Sequence, residues 1–358
     1  MSDAFNPENF KLELTVTPKD LADLLRITPQ ALHKFLKEHD IDTKVGNTRF
    51  HKIRPHQVRK IIEIRGLSYP NMVIDLHNVK GGVGKSTCTH ALATRAAAWG
   101  AKVLMVDLDQ QANLTSSFGI HGHPNQFPTI LDIHKGMFKG REVQIRDAIL
   151  ELNDNLHLIP SNLGMANIDT IMSMDSELNV GAFFDLMFGT LRNEYDFIFF
   201  DSPPALSKLT TAAHLYSDLI LMPVEPDKFS IDGLELNFET IFRLKQRFGT
   251  ESETKIFINK YDARPKIDFL IASELAKTDY AENMCESAVR YASGLKAAIA
   301  EGKCVWNADK KNPALEDLNS LFLEISGLDE KWNSKAETVD ETTRPTSSEA
   351  GRAEEASL

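Results

Sequence analysis

The chain has 358 residues, of which 42% are hydrophobic and 25% charged, with a formal net charge of −11 at pH 7. That length suits one large domain with an appendage, and the acidic balance excludes a polycation that coats nucleic acid over its whole surface, so any DNA site has to be a local basic patch. Cys88, Cys285 and Cys304 lack metal-ligand or CxxC spacing, which argues against an iron–sulfur site and for buried thiols in a soluble cytoplasmic protein; no apolar run is long enough to span a membrane, and Met1-Ser2-Asp3 is unlike a signal peptide.

In chain order, Thr17-Pro18-Lys19-Asp20 reads as a helix start, with Thr17 as cap, Pro18 at the first helical position and an acid in the first turn. Leu21, Leu24 and Leu25 then share one apolar face. A second start at Thr28-Pro29-Gln30 is followed by Ala31, Leu32, Phe35 and Leu36 at helical spacing, and the pair looks like a helix-turn-helix. Thr43 to Phe50 carries a Gly46-Asn47 turn between short β-prone runs, as a wing hairpin does, and Pro55 opens a third helix through Ile64. Between Arg26 and Arg65 stand ten Lys or Arg residues against four acids. In such a module the second helix enters the major groove, which makes Gln30, His33, Lys34 and Lys37 the expected base or phosphate contacts, with Lys44 and Arg49 on the DNA backbone. A small helical adaptor with solvated charges is the competing reading. Charge sign, paired helix starts and wing together favour DNA.

Gly66-Leu67-Ser68-Tyr69-Pro70-Asn71 reads as a linker, since Gly and Pro interrupt both helix and strand. Beyond it, apolar runs recur at Met72–Leu76, Val103–Val106, Leu156–Ile159, Phe197–Phe200, Leu219–Val224 and Ile256–Ile258, with helical segments between them. Near-continuous apolar runs mark strands buried on both faces, so the expected fold is α/β, a mostly parallel sheet with helices on each side. The expected domains are a winged helix-turn-helix over 1–68, the α/β domain over 69–328 and a disordered acidic tail over 329–358, which has eight acids and four bases and opposes an anionic bilayer.

The first run leads into Val79-Lys80-Gly81-Gly82-Val83-Gly84-Lys85-Ser86-Thr87 and then a helix-like segment, the order of a phosphate-binding loop. Glycines let consecutive N–H groups face phosphate oxygens, the helix start adds its positive end, and Lys85 supplies a mobile cation. Ser86 or Thr87 can hold Mg²⁺ through its hydroxyl. The second run ends in Asp107-Leu108-Asp109-Gln110-Gln111-Ala112, and the fourth in Phe199-Phe200-Asp201-Ser202-Pro203-Pro204. Every motif sits at the carboxyl end of a strand, where ligands of such sheets bind.

With Val79 in place of the usual glycine and a second lysine inside the loop, Lys80 to Thr87 resembles the deviant Walker A motif of the ParA/MinD superfamily. The resemblance covers about residues 72–305 and implies a P-loop ATPase that uses ATP and Mg²⁺. Carried over, Lys80 reaches across a homodimer to the partner's nucleotide, Asp109 orients the attacking water, and Asp107 supports the magnesium shell held by Ser86 and Asp201. Gln110 stands where proline is commoner, and Ala112 where glycine is. Asn259 falls where adenine is recognised. From Val289 onward the chain resembles the family's stretch that places basic residues on the DNA-facing side of the dimer, and Arg264, Arg290, Lys296 and Lys303 are the candidates for sequence-independent phosphate contacts. Relatives of this layout partition plasmids or chromosomes over the nucleoid, answer to a ParB-like DNA-binding adaptor and repress their own operon. A nucleotide-controlled repressor and a ParA-like ATPase positioning a protein cargo remain open.

Overall fold

The apolar runs pair side by side because each can bury both of its faces. A computed structural model describes residues 10–44, 51–121, 126–139, 144–262, 264, 273, 280–307, 312–328 and 332. Among them eight strands, β1 (Met72–Leu76), β2 (Val103–Asp107), β3 (Leu150–Asn153), β4 (Leu156–Ile159), β5 (Phe197–Asp201), β6 (Leu219–Val224), β7 (Glu253–Tyr261) and β8 (Val289–Arg290), lie in the order β3-β4-β2-β5-β1-β6-β7-β8. All pairings are parallel except β3 with β4. Side chains alternate across the sheet: Val103, Met105, Phe197 and Phe199 enter one core, while Leu104, Val106, Ile198 and Phe200 enter the other. That alternation is the period of two expected of a strand covered on both sides. β3 and β8 were not expected, because β3 alternates buried leucines with polar residues and so forms no continuous apolar run, and β8 is only two residues long.

In chain order the helices are α1 (Pro18–Leu24), α2 (Pro29–Glu38), α3 (Pro55–Ile64), α4 (Lys85–Ala98), α5 (Asn113–Ser116), α6 (Ile130–Phe138), α7 (Ile168–Met174), α8 (Phe183–Phe188), α9 (Lys208–Tyr216), α10 (Lys228–Phe248), α11 (Ser293–Ala300) and α12 (Pro313–Ser326). α4 packs with α12 on one face of the sheet, and α7, α8 and α9 cover the other. α10 closes a smaller cluster over β6 and β7.

The first three helices start where the caps predict. Thr17 accepts from the Asp20 amide at 3.1 Å and Asp20 accepts in return from the Thr17 amide at 3.0 Å, while Thr28 caps α2 through the Ala31 amide at 3.1 Å. Leu32 and Leu36 turn inward, which leaves Gln30, His33, Lys34 and Lys37 on the exposed face of α2; Lys44 is exposed as well. Lys34 lies 3.6 Å from Glu38. Antiparallel bridges Val16 to Ile53 and Lys44 to His51 bring the chain back toward α3. The Gly46-Asn47 turn and Arg49 lie outside the described residues, as does the tail expected over 329–358 apart from Trp332, which is buried rather than disordered.

The stretch 66–71, read as a linker, is instead fastened to the α/β domain. Its Leu67 and Tyr69 are apolar enough to be buried, and a surface is there to bury them. Tyr69 donates its hydroxyl to the Trp99 carbonyl at 2.5 Å, and the Asn71 side chain donates to Tyr195 O at 2.8 Å. Arg59 reaches from α3 to Asp196 at 2.6 Å and to Gly100 O at 3.2 Å. Gly100 makes this approach possible: its φ is +90°, and a Cβ there would stand 2.7 Å from the Arg59 amide nitrogen. Leu12 bonds backbone to backbone with Leu152 at 2.8 Å. Trp332 is buried, donates to Ser68 O at 3.0 Å and stands edge-on to Tyr69. Apolar residues of α1 to α3 therefore share one continuous core with α4 and α12.

Two outcomes follow from this packing. A chain beginning at Pro70 uncovers that shared core; with about 1.5–3 kcal/mol for each large buried side chain, its thermal midpoint by circular dichroism should drop by about 10 °C or more. An unchanged midpoint would mean that the two parts fold independently. The second concerns His90 on α4, which is fully buried, stacks on Phe118 at 4.4 Å and is pushed down to about 3 by burial. The Ser117 hydroxyl donates to Leu114 O, so it must accept from His90 Nδ1–H at 2.9 Å, and Nε2 has no partner among the described residues. Below pH 6.5 the unfolded chain takes up a proton that the folded chain refuses, so stability falls by about 1.4 kcal/mol per unit as pH drops through that window. His90→Phe should be less stable than the original chain at pH 7.5 and more stable at pH 5 in urea unfolding.

Candidate phosphate-binding site

The loop from Asn78 to Gly84 joins β1 to α4 and owes its shape to positive φ values at Gly82 (+81°) and Gly84 (+96°). A Cβ on Gly84 would meet Asn259 Nδ2 at 2.5 Å. Asn78 braces the loop from below: its Nδ2 donates to Pro223 O at 2.8 Å, and its Oδ1 accepts from the Lys80 amide at 2.9 Å. Asn259, at the end of β7, donates to Val83 O at 2.7 Å. The loop is thus held from β6 and β7, with the first turn of the 14-residue α4 presenting its unpaired amides over it. Gly81 and Gly82 are exposed, Ser86 and Thr87 are half-buried, and Lys85 is buried, with Nζ 3.1 Å from Asn78 O and 3.4 Å from Lys80 O.

Two of the predicted acids, Asp109 and Asp201, act on the charge of Lys85, together with Asp75, which was not predicted. Asp107 and Asp201 are direct neighbours in register on β2 and β5, and Leu76 of β1 pairs with Asp201 from the other side. Burial lowers the Lys85 pKa, and Asp201, Asp109 and Asp75 oppose it. Burial also pushes Asp107 up to about 7, against hydrogen bonds from Thr115 Oγ1 (2.7 Å), the Thr115 amide (2.9 Å) and the Asp109 amide (3.1 Å). Asp201 is raised well above the usual carboxylate range, by burial and by Asp107, while Ser86 and Lys85 pull it down. Its Oδ1 is 3.5 Å from Thr89 Oγ1, and its Oδ2 is buried with no partner among the described residues. A bare carboxylate oxygen beside a hydroxyl and a lysine fits a divalent cation with phosphate. Asp109 caps the turn that follows, accepting from the Gln111 amide at 2.9 Å. Ala112 takes φ +51°, the left-handed setting for which glycine is the easier residue.

Sequence reasoning did not single out several of the groups that organise this site. Lys80 is tied in its own chain to Asp227, and Lys260, itself at φ +58°, pairs with Glu225 and donates to Gly82 O. Both carboxylates, Glu225 and Asp227, lie just past β6, and neither had a role assigned to it from the sequence. A cavity beside the loop is lined by Thr87, Asn259, Lys260, Arg290, Tyr291 and Lys296. Most of the residues expected on DNA from this domain carry acidic partners: Arg264 is bound to Asp262, Arg290 to Asp317 and Lys303 to Glu301, whereas Lys296 is exposed.

The tight contact at Gly84 gives a direct test. Gly84→Ala combines an unfavourable φ with a 2.5 Å clash, so it should abolish nucleotide binding, at a cost of about 1–3 kcal/mol in stability. Calorimetric titration of the folded variant with ATP and Mg²⁺ checks it; unaltered affinity would exclude the loop as the phosphate site.

Comparison with known proteins agrees with this geometry. A family model described as an AAA domain matches residues 71–256. The cell division protein PomZ of Myxococcus xanthus is 29% identical over 250 residues, which cover 68% of this chain and 75% of that protein. The chromosome partitioning protein ParA of Caulobacter vibrioides is 24% identical over 269 residues, 75% of this chain and 98% of that one. Among solved structures, a plasmid partition protein from Borrelia burgdorferi bound to AMPPNP is 26% identical with a TM-score of 0.58, across 72% of this chain and 98% of that one. With a family match over more than half of its length and the two-lysine phosphate loop in place, the chain belongs to the ParA/MinD superfamily.

Proposed function

We propose that the chain is a ParA-type positioning ATPase, a switch in which ATP with Mg²⁺ closes two copies face to face and hydrolysis releases them. The observation that carries this reading is the buried oxygen of Asp201, without a partner among the described residues, beside a glycine cradle with Lys85. When bound, ATP with Mg²⁺ supplies the phosphoryl group and the divalent charge that offsets it. Lys85 and the first amides of α4 bind the phosphates. Ser86 and Asp201 would hold the metal, and Asp107, whose oxygens accept from Thr115 and the Asp109 amide, fixes the turn and would support the metal from beside them. Asp109 orients the attacking water. Lys80 leaves Asp227 to reach the partner's nucleotide, and Asn259 with its flanking cavity receives the adenine.

DNA is held in two ways on this reading. The exposed face of α2, with Gln30, His33, Lys34 and Lys37 and with Lys44 and Arg49 nearby, reads an operator as the second helix of a winged helix-turn-helix. Arg264, Arg290 and Lys296 add sequence-independent contacts, the two arginines after exchanging their carboxylates for phosphates. A ParB-like adaptor stimulates hydrolysis, the homodimer rides on nucleoid DNA in the cytoplasm, and the operator contact represses the chain's own operon. The likeness to a cell division protein supports a second reading, in which the cargo is a protein assembly rather than a replicon.

The test separates the two lysines. Lys85→Ala should lose ATP affinity by about 100-fold or more, since it removes a charge-assisted contact from a buried site. Lys80→Ala should bind ATP as a monomer but neither dimerise nor hydrolyse. Calorimetry, light scattering and single-turnover assays read this; a Lys80→Ala chain that pairs and turns over normally would sink the proposal of action across the dimer.

A further inference from the structure

Beneath the phosphate loop lies a polar cluster that the proposed chemistry leaves unused. Asp75 in β1, His77 and Ser202 are fully buried, and His214 of α9 is 2% exposed. Ser202 Oγ donates to Asp75 Oδ1 at 2.6 Å, and His214 Nδ1 stands 2.7 Å from Asp75 Oδ2. The His214 ring is edge-on to His77, with centroids 4.5 Å apart and planes at 76°. Neither nitrogen of His77 nor Nε2 of His214 has a hydrogen-bond partner among the described residues. A buried polar atom left unpaired costs about 1–3 kcal/mol. Simple packing would favour apolar residues here, such as Val73 on the same face of β1.

Each member of the cluster adjoins a working part of the site. Ser202 directly follows Asp201, and its amide donates to Leu76 O at 3.3 Å. Pro203 and Pro204 come next and have no N–H to continue the ladder, so the Ser202 hydroxyl is a last fastening before the chain leaves the sheet. His77 directly precedes Asn78, which braces the loop. Asp75 lies close enough to Lys85 to act on its charge.

We propose that Asp75, Ser202 and His214 are positioning residues for the metal-holding carboxylate: Asp75 takes the Ser202 hydroxyl on one oxygen and the His214 N–H on the other, clamping the Asp201-Ser202 step between β1 and α9. The inference rests on the ATPase reading above. The clamp fixes the backbone from which Asp201 directs Oδ1 toward Thr89 and keeps Oδ2 open to a cation. His77 fills the space between the clamp and the loop stem, and burial with His214 and Lys85 nearby holds it well below its usual pKa, so it stays neutral there.

The experiment uses the full chain with Ser202→Ala, His214→Phe and His214→Asn. The first two each remove one donor to Asp75, while Asn keeps an N–H where Nδ1 stood. Urea unfolding establishes that each variant is folded, ATP affinity is measured in EDTA, and single-turnover hydrolysis is followed across a Mg²⁺ series. Ser202→Ala and His214→Phe should bind ATP in EDTA within about twofold of the original chain yet need about tenfold more Mg²⁺, as groups that orient a metal ligand from behind do. His214→Asn should recover most of that shift. A merely structural loss would lower stability without separating Mg²⁺ demand from ATP affinity. If Ser202→Ala does not fold, the two His214 variants carry the same comparison. Hydrolysis by the original chain with an unmoved Mg²⁺ midpoint in the folded variants overturns the clamp; no hydrolysis by the original chain under any Mg²⁺ overturns the ATPase reading and the clamp with it.

Discussion

Burying carboxylates around one lysine at the end of a parallel sheet is the constraint on which the rest of the site depends. Asp75, Asp107 and Asp201 are at most 1% exposed, Asp109 is 7%, and Lys85 faces Asp75, Asp109 and Asp201. Taking such charges out of water costs several kcal/mol apiece unless something offsets it. Hydrogen bonds do so for Asp107, while burial raises the pKa of both Asp107 and Asp201. Asp201 keeps an oxygen with no hydrogen-bond partner among the described residues. A cation with phosphate answers all of these costs together, and so the site is built for a ligand more than for stability.

The same α4 that begins at this site ends against the N-terminal helices. Fourteen residues of helix span about 20 Å, and the contacts at its far end, through Trp99, Gly100 and Asp196, lie at the amino ends of the strands. In the proposed face-to-face pair, the α2 surfaces would therefore stand away from the shared nucleotides. Because α1 to α3 share a core with α4 and α12, the proposed reader moves as one body with the ATPase domain. The pairing of two chains would then set the distance between two readers, and with it the half-site spacing that an operator could present.

Much of this was legible in the sequence, and the parts that were not share a physical cause. Thr17, Thr28 and three helix-opening prolines fixed the N-terminal helices, since capping is decided by neighbours within four residues. Apolar runs located β1, β2, β4, β5, β6 and β7, because a strand buried on both sides needs no polar alternation. Asp107, Asp109 and Asp201 fell at strand ends beside the loop as expected. Contacts made only by folding left no such trace. The partner of Lys80 is 147 positions away, Arg59 meets Asp196 across 137, and Ser202 meets Asp75 across 127. Reading Gly66 to Asn71 as a linker failed for the same reason, since a Gly or Pro marks a turn but does not say whether the turn is pinned.

The contact between Lys80 and Asp227 shows how such a site can be poised without being locked. Both side chains are about one-third exposed, and ion pairs open to water contribute only about 0–1 kcal/mol. Lys260 with Glu225 is of the same kind, at 27% and 28% exposure. Letting go of Asp227 thus costs Lys80 little, whereas a polyphosphate carries several negative charges in a site from which pairing would exclude water, where each contact is stronger. On the proposed pairing, the chain holds its second lysine in a defined place while alone and surrenders it when a partner's nucleotide arrives. Lys85 has no comparable freedom: it is buried against the carbonyls of Asn78 and Lys80, so its charge is committed to the nucleotide of its own chain.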